Sequence, residues 1–344
     1  MLRQLRRLTR PVPAAGPSAC ALGVYADGSD TLIAARESGE EGVACVDDAA
    51  RAVVLLADLW SATGDPQVRV WATGLLDFLL HLQRPDGRFV NFIHDWTGTP
   101  NERGQTSVPG GAFWQERALS GLAKVWVGLD DERAATAFAR ALVPVRAAPA
   151  AADVRSVQIR AVLEVLRSGR MPELRATLGA WCDELVALRE GDVLLDAPGT
   201  LHLWGHSQEA VLADAGTFLG RGDLVAVARR SAEGVFGPAI ASAFAFPTVQ
   251  PYDVACGVDA MDRLAAATGE ARYERLAADA RAWFDGRNSA GAPVYDRGRG
   301  RVADGIDEGR VSRSSGAESN IVGAQALFAQ IAETHRRSPL ATTV

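Results

Sequence analysis

Apolar residues recur along most of this chain at the three-to-four-residue spacing of helices. Val43 to Thr63 and Pro66 to Arg84 read as two such helices, separated by Gly64-Asp65 and closed by the turn chemistry of Pro85-Asp86-Gly87. Further helices are predicted at about 112–128, 131–144, 153–168, 172–189, 207–219, 222–235, 252–268, 271–285 and 318–334. No strand series recurs. Arg88 to Phe92 and Pro293 to Tyr295 read as extended pieces inside Gly-rich connections.

Polar side chains cluster where alternate helices begin: Asp47-Asp48, Gln115-Glu116-Arg117, Ser207-Gln208-Glu209, Tyr252-Asp253 and Gly316-Ala317-Glu318-Ser319-Asn320. The helices behind them are apolar on nearly all sides, which marks them as buried. A carboxylate or amide in the first turn of a buried helix is costly to desolvate unless it has a specific task. The spacing predicts a ring of alternating inner and outer helices with one pocket. Inner helices start near 47, 115, 155, 207, 252 and 318. An internal echo supports the hairpin unit: Ala62-Thr63-Gly64-Asp65 and Ala267-Thr268-Gly269-Glu270 precede similar apolar patterns, with the Gly as a left-handed cap and the acid as the next helix's cap. The last inner helix has no partner after it, and Leu2, Leu5 and Leu8 are available to close the ring, an open ring being the alternative.

Composition narrows the class. Of 344 residues, 48% are apolar, enough for a large core in one closed helical domain over 26–338, with a basic segment and linker at 1–25 and a tail at 339–344. The net charge of -6 and a single lysine, Lys124, argue against nucleic acid as a partner. Cys20, Cys45, Cys182 and Cys256 form no CxxC pair, so neither a zinc site nor a disulfide framework is expected and a reducing cytoplasm fits. Met1 to Arg10 is basic but lacks the apolar run of a signal peptide, and no window approaches a membrane span.

Three segments carry a resemblance: Asp47-Asp48-Ala49-Ala50-Arg51-Ala52, Gly87-Arg88-Phe89-Val90-Asn91-Phe92 and Ser315-Gly316-Ala317-Glu318-Ser319. With the helical pattern over residues 40–335, the chain resembles the six-hairpin glycosidase superfamily of (α/α)6 toroids, which also holds sugar epimerases and polysaccharide lyases, and within it a group of bacterial sugar-active toroid domains. Ala49 departs from the Asn that related sequences tend to have. The resemblance implies an all-α (α/α)6 toroid whose pocket lies at the N-termini of the inner helices, an oligosaccharide or sugar-containing substrate, and no cofactor.

Hydrolysis of a glycosidic bond needs a protonated carboxyl and an ionised one about 5–10 Å apart. Asp47 or Asp48 with Glu318 meets that need if first and last inner helices are neighbours; capping of the helix and pairing with Arg51 is the structural alternative. Glu116 is either a third pocket acid or an ion-pair partner of Arg51. Asn91, His94, Asp95 and Trp96 lie on a loop from Pro85 to Gly111, long enough to suggest function. Trp114, His202, Trp204, His206, Gln208, Tyr252, Asp253 and Asn320 complete the expected sugar-binding set, because sugars present apolar faces to aromatic rings and hydroxyls to amides, imidazoles and carboxylates. His202 and His206 have the separation of a metal pair but no evident third ligand, so no metal is expected. Gly298 to Arg313 reads as a solvated loop or as a lid whose Arg310 or Arg313 meets an anionic group. The expected activity is glycoside hydrolysis, the alternatives being a sugar epimerase or lyase using His94, His202 or His206, and a non-catalytic carbohydrate-binding toroid.

Overall fold

The computed structural model describes residues 1–337; the expected tail at 339–344 lies outside the described residues. Thirteen α-helices occur among them: α1 (Leu2–Leu8), α2 (Val46–Thr63), α3 (Pro66–Leu82), α4 (Ala112–Leu129), α5 (Glu132–Ala147), α6 (Ala152–Arg167), α7 (Arg175–Ala187), α8 (Gln208–Leu219), α9 (Gly222–Ala241), α10 (Pro251–Thr268), α11 (Ala271–Arg281), α12 (Ala317–Ala326) and α13 (Phe328–Arg337). Two compact units are formed. The first comprises Met1–Pro149, Gly298–Arg301 and the segment from Arg313 onward; the second comprises Ala150–Arg297 and Val302–Ser312.

In the first unit α2 pairs with α3 and α4 with α5, while α2 also packs on α4 and α12. In the second, α6 pairs with α7, α8 with α9 and α10 with α11, and α8 touches both α6 and α10. The inner rows are therefore α12-α2-α4 and α6-α8-α10, and polar clusters mark the starts of all of these helices but α6. Their apolar faces are buried on several sides, as α2 illustrates: Val46, Ala49, Ala50, Val53, Leu55, Leu56 and Leu59 are all fully covered.

The repeated joint holds in one respect and differs in another. Gly64 and Gly269 both end their helices in the left-handed region, at φ 67° and 69°. Asp65 caps α3 by accepting from the Gln67 amide at 2.8 Å, and its other oxygen lies 2.7 Å from His335 Nε2 on α13. Glu270, in the second copy, makes no side-chain cap; it pairs instead with Arg229 and Arg272 on the surface. The extra methylene of Glu makes it a poorer N-cap than Asp.

Residues 1–25 are packed, not the linker expected. Leu5 and Leu8 of α1 are fully buried, α1 lies against α12, and Thr9–Pro11 pairs antiparallel with Cys20–Leu22. The helix expected over 318–334 is two helices, α12 and α13, divided at Leu327, where φ is -104° and ψ 25°. Strands among the described residues are two or three residues long. Ala44–Cys45 pairs antiparallel with Phe92–Ile93, and Ile306–Asp307 pairs with both Arg310–Val311 and Thr248–Val249, so part of the segment expected as an open loop is a hairpin. No helix among the described residues is long and apolar enough to cross a membrane.

The two joints make a paired test of the capping difference. Asp65→Ala is expected to cost about 1–2 kcal/mol, the loss of a helix cap, and Glu270→Ala less than about 0.5 kcal/mol, the worth of an exposed ion pair. Chemical denaturation of the two variants checks this, and equal losses would contradict it.

Candidate active site

The start of α2 is fixed by its neighbours rather than by its own acids. Cys45 is the N-cap, its Sγ accepting from the Asp48 amide at 3.4 Å, so neither Asp47 nor Asp48 caps the helix. The Val46 amide donates to Asn91 O at 2.7 Å, and the Asp47 amide to Asn91 Oδ1 at 3.2 Å. Gly87, at the head of the Gly-Arg-Phe-Val-Asn-Phe loop that brings Asn91 here, has φ 87°, and a Cβ on it would lie 2.2 Å from Arg140 O; only glycine fits. The start of α12 is held in the same way. Amides of Ser315 and Ala317 donate to Ala26 O and Val24 O at 3.0 and 2.9 Å.

These two helix starts meet at one guanidinium. Arg51, one turn into α2, places Nη1 3.1 Å from Asp48 Oδ1 and Nη2 3.7 Å from Asp47 Oδ2 and 2.6 Å from Glu318 Oε1. Arg117 of α4 makes a second ion pair with Asp47 Oδ2 and lies over the Phe113 ring. The acids differ in exposure: the Asp48 side chain is 5% exposed, Asp47 20% and Glu318 41%. Burial pushes the Asp48 carboxyl up to about 7, with Arg51 opposing and the Glu318 and Asp47 charges adding to the rise. For Asp47 burial acts in the same direction but is outweighed by Arg117 and Arg51, which hold it below the ordinary carboxylate value. Its Oδ1 is buried with no hydrogen-bond partner. A carboxyl raised to about 7 beside one held below the ordinary carboxylate value is an arrangement suited to general acid and base chemistry.

Other residues expected in the first unit have structural engagements. Asn91, besides receiving the Asp47 amide, donates through Nδ2 to Thr106 O at 3.0 Å. Asn320 is fully buried and donates to Ser315 Oγ and Gly316 O. Trp114 Nε1 donates to Phe89 O at 3.0 Å, and Gln115 clasps the same loop through the Phe89 amide and Gly87 O. Asp95 accepts from the Thr97 amide and shapes its own turn. Trp96 is half-buried on that loop, Glu116 is buried in the first turn of α4, and His94 is exposed beside a cavity also lined by Glu40, Asn101 and Arg103.

The second unit has its own buried cluster. His206 is fully enclosed, with Nδ1 2.9 Å from Asp196 Oδ1 and Nε2 3.0 Å from Glu209 Oε1. Ser231 also donates to Glu209 Oε1, at 2.5 Å. Gln208, equally buried, donates to Asp196 Oδ1 and Leu195 O. Burial opposes a charge on His206, but Glu209 and Asp196 outweigh it and raise the imidazole to about 10. Both residues were expected to touch sugar; buried and fully engaged, they instead hold the chain before α8. His202 stacks on Trp204 at 4.3 Å with rings 7° apart, and Trp204 is 41% exposed. Asp253 accepts from the Gln250 amide at 2.7 Å as a helix cap, and Tyr252 is half-buried near Gly205. Asp196, Asp153 and the capping role of Cys45 were not singled out from sequence: Asp196 sits in a loop without periodicity, and Cys is not a usual cap.

Removing the cation should expose what it holds. His206→Gln leaves the Glu209 carboxylate buried without its charge partner and is expected to cost about 3–5 kcal/mol at pH 7. The folded imidazole titrates above the unfolded one, so its stabilisation is complete below about 6.5 and is lost as pH rises through about 10. The gap between variant and parent in chemical denaturation should therefore close toward pH 10; a pH-independent gap under 1 kcal/mol would contradict the charged assignment.

No protein-family model matches the chain, and no curated protein matches it. Solved structures do. The structure of cellobiose 2-epimerase from Bacillus thermoamylovorans superposes with a TM-score of 0.74 at 8% identity over 96% of each chain. That of a D-mannose isomerase does so with 0.72 at 9% identity over 97% of this chain and 96% of that one. A family 76 glycoside hydrolase from a bovine Bacteroides thetaiotaomicron strain gives 0.65 at 10% identity over 96% of this chain and 76% of that one. At these identities the likeness is one of fold alone, the (α/α)6 toroid expected from the helical pattern and the three sequence segments.

Proposed function

We propose that this chain is a carbohydrate-active enzyme that hydrolyses a glycosidic bond by carboxylate general acid and base catalysis. The observation that supports this most directly is the sharing of Arg51 by Asp48 and Glu318. Asp48, raised to about 7, is the proton donor to the leaving oxygen. Glu318, the most exposed acid of the group, is the base that draws a proton from water. Asp47, kept ionised by Arg117 and Arg51, orients the water or a sugar hydroxyl. The shared guanidinium bridges donor and base, and the inverting route is favoured, for which a carboxyl gap of about 6.5–9.5 Å would admit a water. Structures of sugar epimerases, an isomerase and glycoside hydrolases all share this fold, which agrees with a sugar substrate.

A second reading has its own support. The epimerase and isomerase structures match over nearly their whole length, and His202 offers a base: its Nδ1 is 2.7 Å from Trp204 O, a group that only accepts, so the neutral ring keeps its lone pair on Nε2. Such a base moves a proton at carbon instead of activating water.

Product analysis separates the two. Oligosaccharide hydrolysis, followed by reducing-end release and by NMR of the anomeric proton, is expected to yield the inverted sugar. Asp48→Asn and Glu318→Gln should each lower turnover roughly 10²–10⁴-fold with the fold intact. Because Asp48 must carry its proton, turnover should decline as pH rises through about 7. Normal hydrolysis by both variants would refute the assignment, and epimerised sugar lost only with His202→Ala would establish the second reading.

A further inference from the structure

Two acids of the second unit have no part in either reading, and they lie beside the histidine that only the second one uses. Asp153 in the first turn of α6, Asp196 in the loop before α8, and His202 each offer a ligand atom, and these atoms lie within 4.8 Å of one another. The histidine pair weighed from sequence does not act together, since His206 is consumed by Asp196 and Glu209. His202 has other partners. With Nδ1 bearing its proton toward Trp204 O, its lone pair is at Nε2, 3.6 Å from Asp153 Oδ2. That is too long for a hydrogen bond. It suits two ligands of one ion, which at bond lengths of about 2.0–2.2 Å stand roughly 3–3.6 Å apart.

Asp153 supplies the second, independent observation. It is only 6% exposed; its Oδ1 accepts from the Val154 amide at 2.7 Å, and its Oδ2 faces His202 Nε2 at 3.6 Å. Asp196 adds a third carboxylate oxygen, its Oδ2 accepting from the His202 amide at 2.8 Å and lying 3.8 Å from His202 Nδ1. The surroundings lack positive charge: Asp153, Asp196 and Glu209 are buried beside one imidazolium, His206, while the neighbouring Arg155 is taken by Glu184.

We infer that Asp153, Asp196 and His202 form a binding site for one divalent transition-metal ion of the Zn2+ type. One imidazole nitrogen and two carboxylate oxygens are a borderline donor set that favours such ions over Mg2+ and leaves a fourth position for water or a hydroxyl ligand. The stacked Trp204 fixes the imidazole plane, and the Trp204 carbonyl fixes its tautomer, as outer partners do for metal-bound histidines. An ion on Nε2 would also remove His202 as a base, so the site and the epimerase reading exclude each other at that nitrogen. The inference is independent of the hydrolytic assignment.

Calorimetric titration of the chelator-stripped full chain with ZnCl2 tests it without any activity assay. One equivalent is expected to bind with a micromolar or lower Kd, insensitive to excess Mg2+. Asp153→Asn and His202→Ala should each weaken it at least tenfold, and His94→Ala should leave it unchanged. If one variant fails to fold by circular dichroism, the other decides. On the unsubstituted chain, one equivalent of Zn2+ should also shift the 15N resonance of His202 Nε2. No stoichiometric binding, binding equal in folded Asp153→Asn or His202→Ala, or an unmoved Nε2 resonance would overturn the site.

Discussion

Charge balance around Arg51 is the constraint on which the candidate site depends. Three carboxyls, Asp47, Asp48 and Glu318, approach two guanidiniums, Arg51 and Arg117, in a region where water is scarce. Full ionisation would leave one negative charge uncompensated, and desolvation makes that charge expensive where it is most buried. Asp48 is the most buried of the three and is the one held near neutrality. The asymmetry of proton occupancy that acid and base catalysis requires thus arises from burial and cation count, without a special hydrogen bond. It also ties the chain's first and last inner helices together: Arg51 and Glu318 are hundreds of residues apart in sequence, and the packing of α12 on α2 is what joins them.

The second unit reaches the opposite outcome from the same physics. Asp196 and Glu209 bracket one imidazole, so the shared group takes a proton instead of losing one, and His206 becomes a fixed buried cation. Its role is to order the segment from Asp196 to Gln208, which in turn presents His202 and Trp204. Asp153 stands outside that compensated triad. It faces His202 instead, in the cation site proposed above.

Much of the helical plan was legible in the sequence because it depends on local pattern. The starts of α2, α4, α8, α10 and α12 fall within a few residues of the expected positions, and the Gly64 and Gly269 caps are where the turn chemistry puts them. The bringing together of Asp47, Asp48 and Glu318 follows from the same pattern plus the three-segment resemblance. What was not legible is set by tertiary contact. Nothing periodic marks Asp196 or the two-residue strands at Ala44–Cys45 and Phe92–Ile93, whose partners are distant in sequence. Asn91, Gln208, Asp253 and Asn320 looked like substrate ligands because polar residues at buried helix starts invite that reading, yet each one satisfies backbone groups that a buried helix end or loop leaves open. The polar-start pattern therefore includes residues whose task is to cap or brace the backbone, which tertiary contacts alone reveal.

The central claim is that burial and an unbalanced charge count leave Asp48 carrying a proton near neutral pH. A carboxyl-carbon NMR titration of the 13C-aspartate-labelled protein, with Asp48 assigned by comparison with Asp48→Asn, measures that state directly. The account requires the Asp48 resonance to titrate with a midpoint near 7 while Asp47 stays ionised well below the ordinary carboxylate value. An Asp48 midpoint in the ordinary aspartate range, near 4, would contradict it.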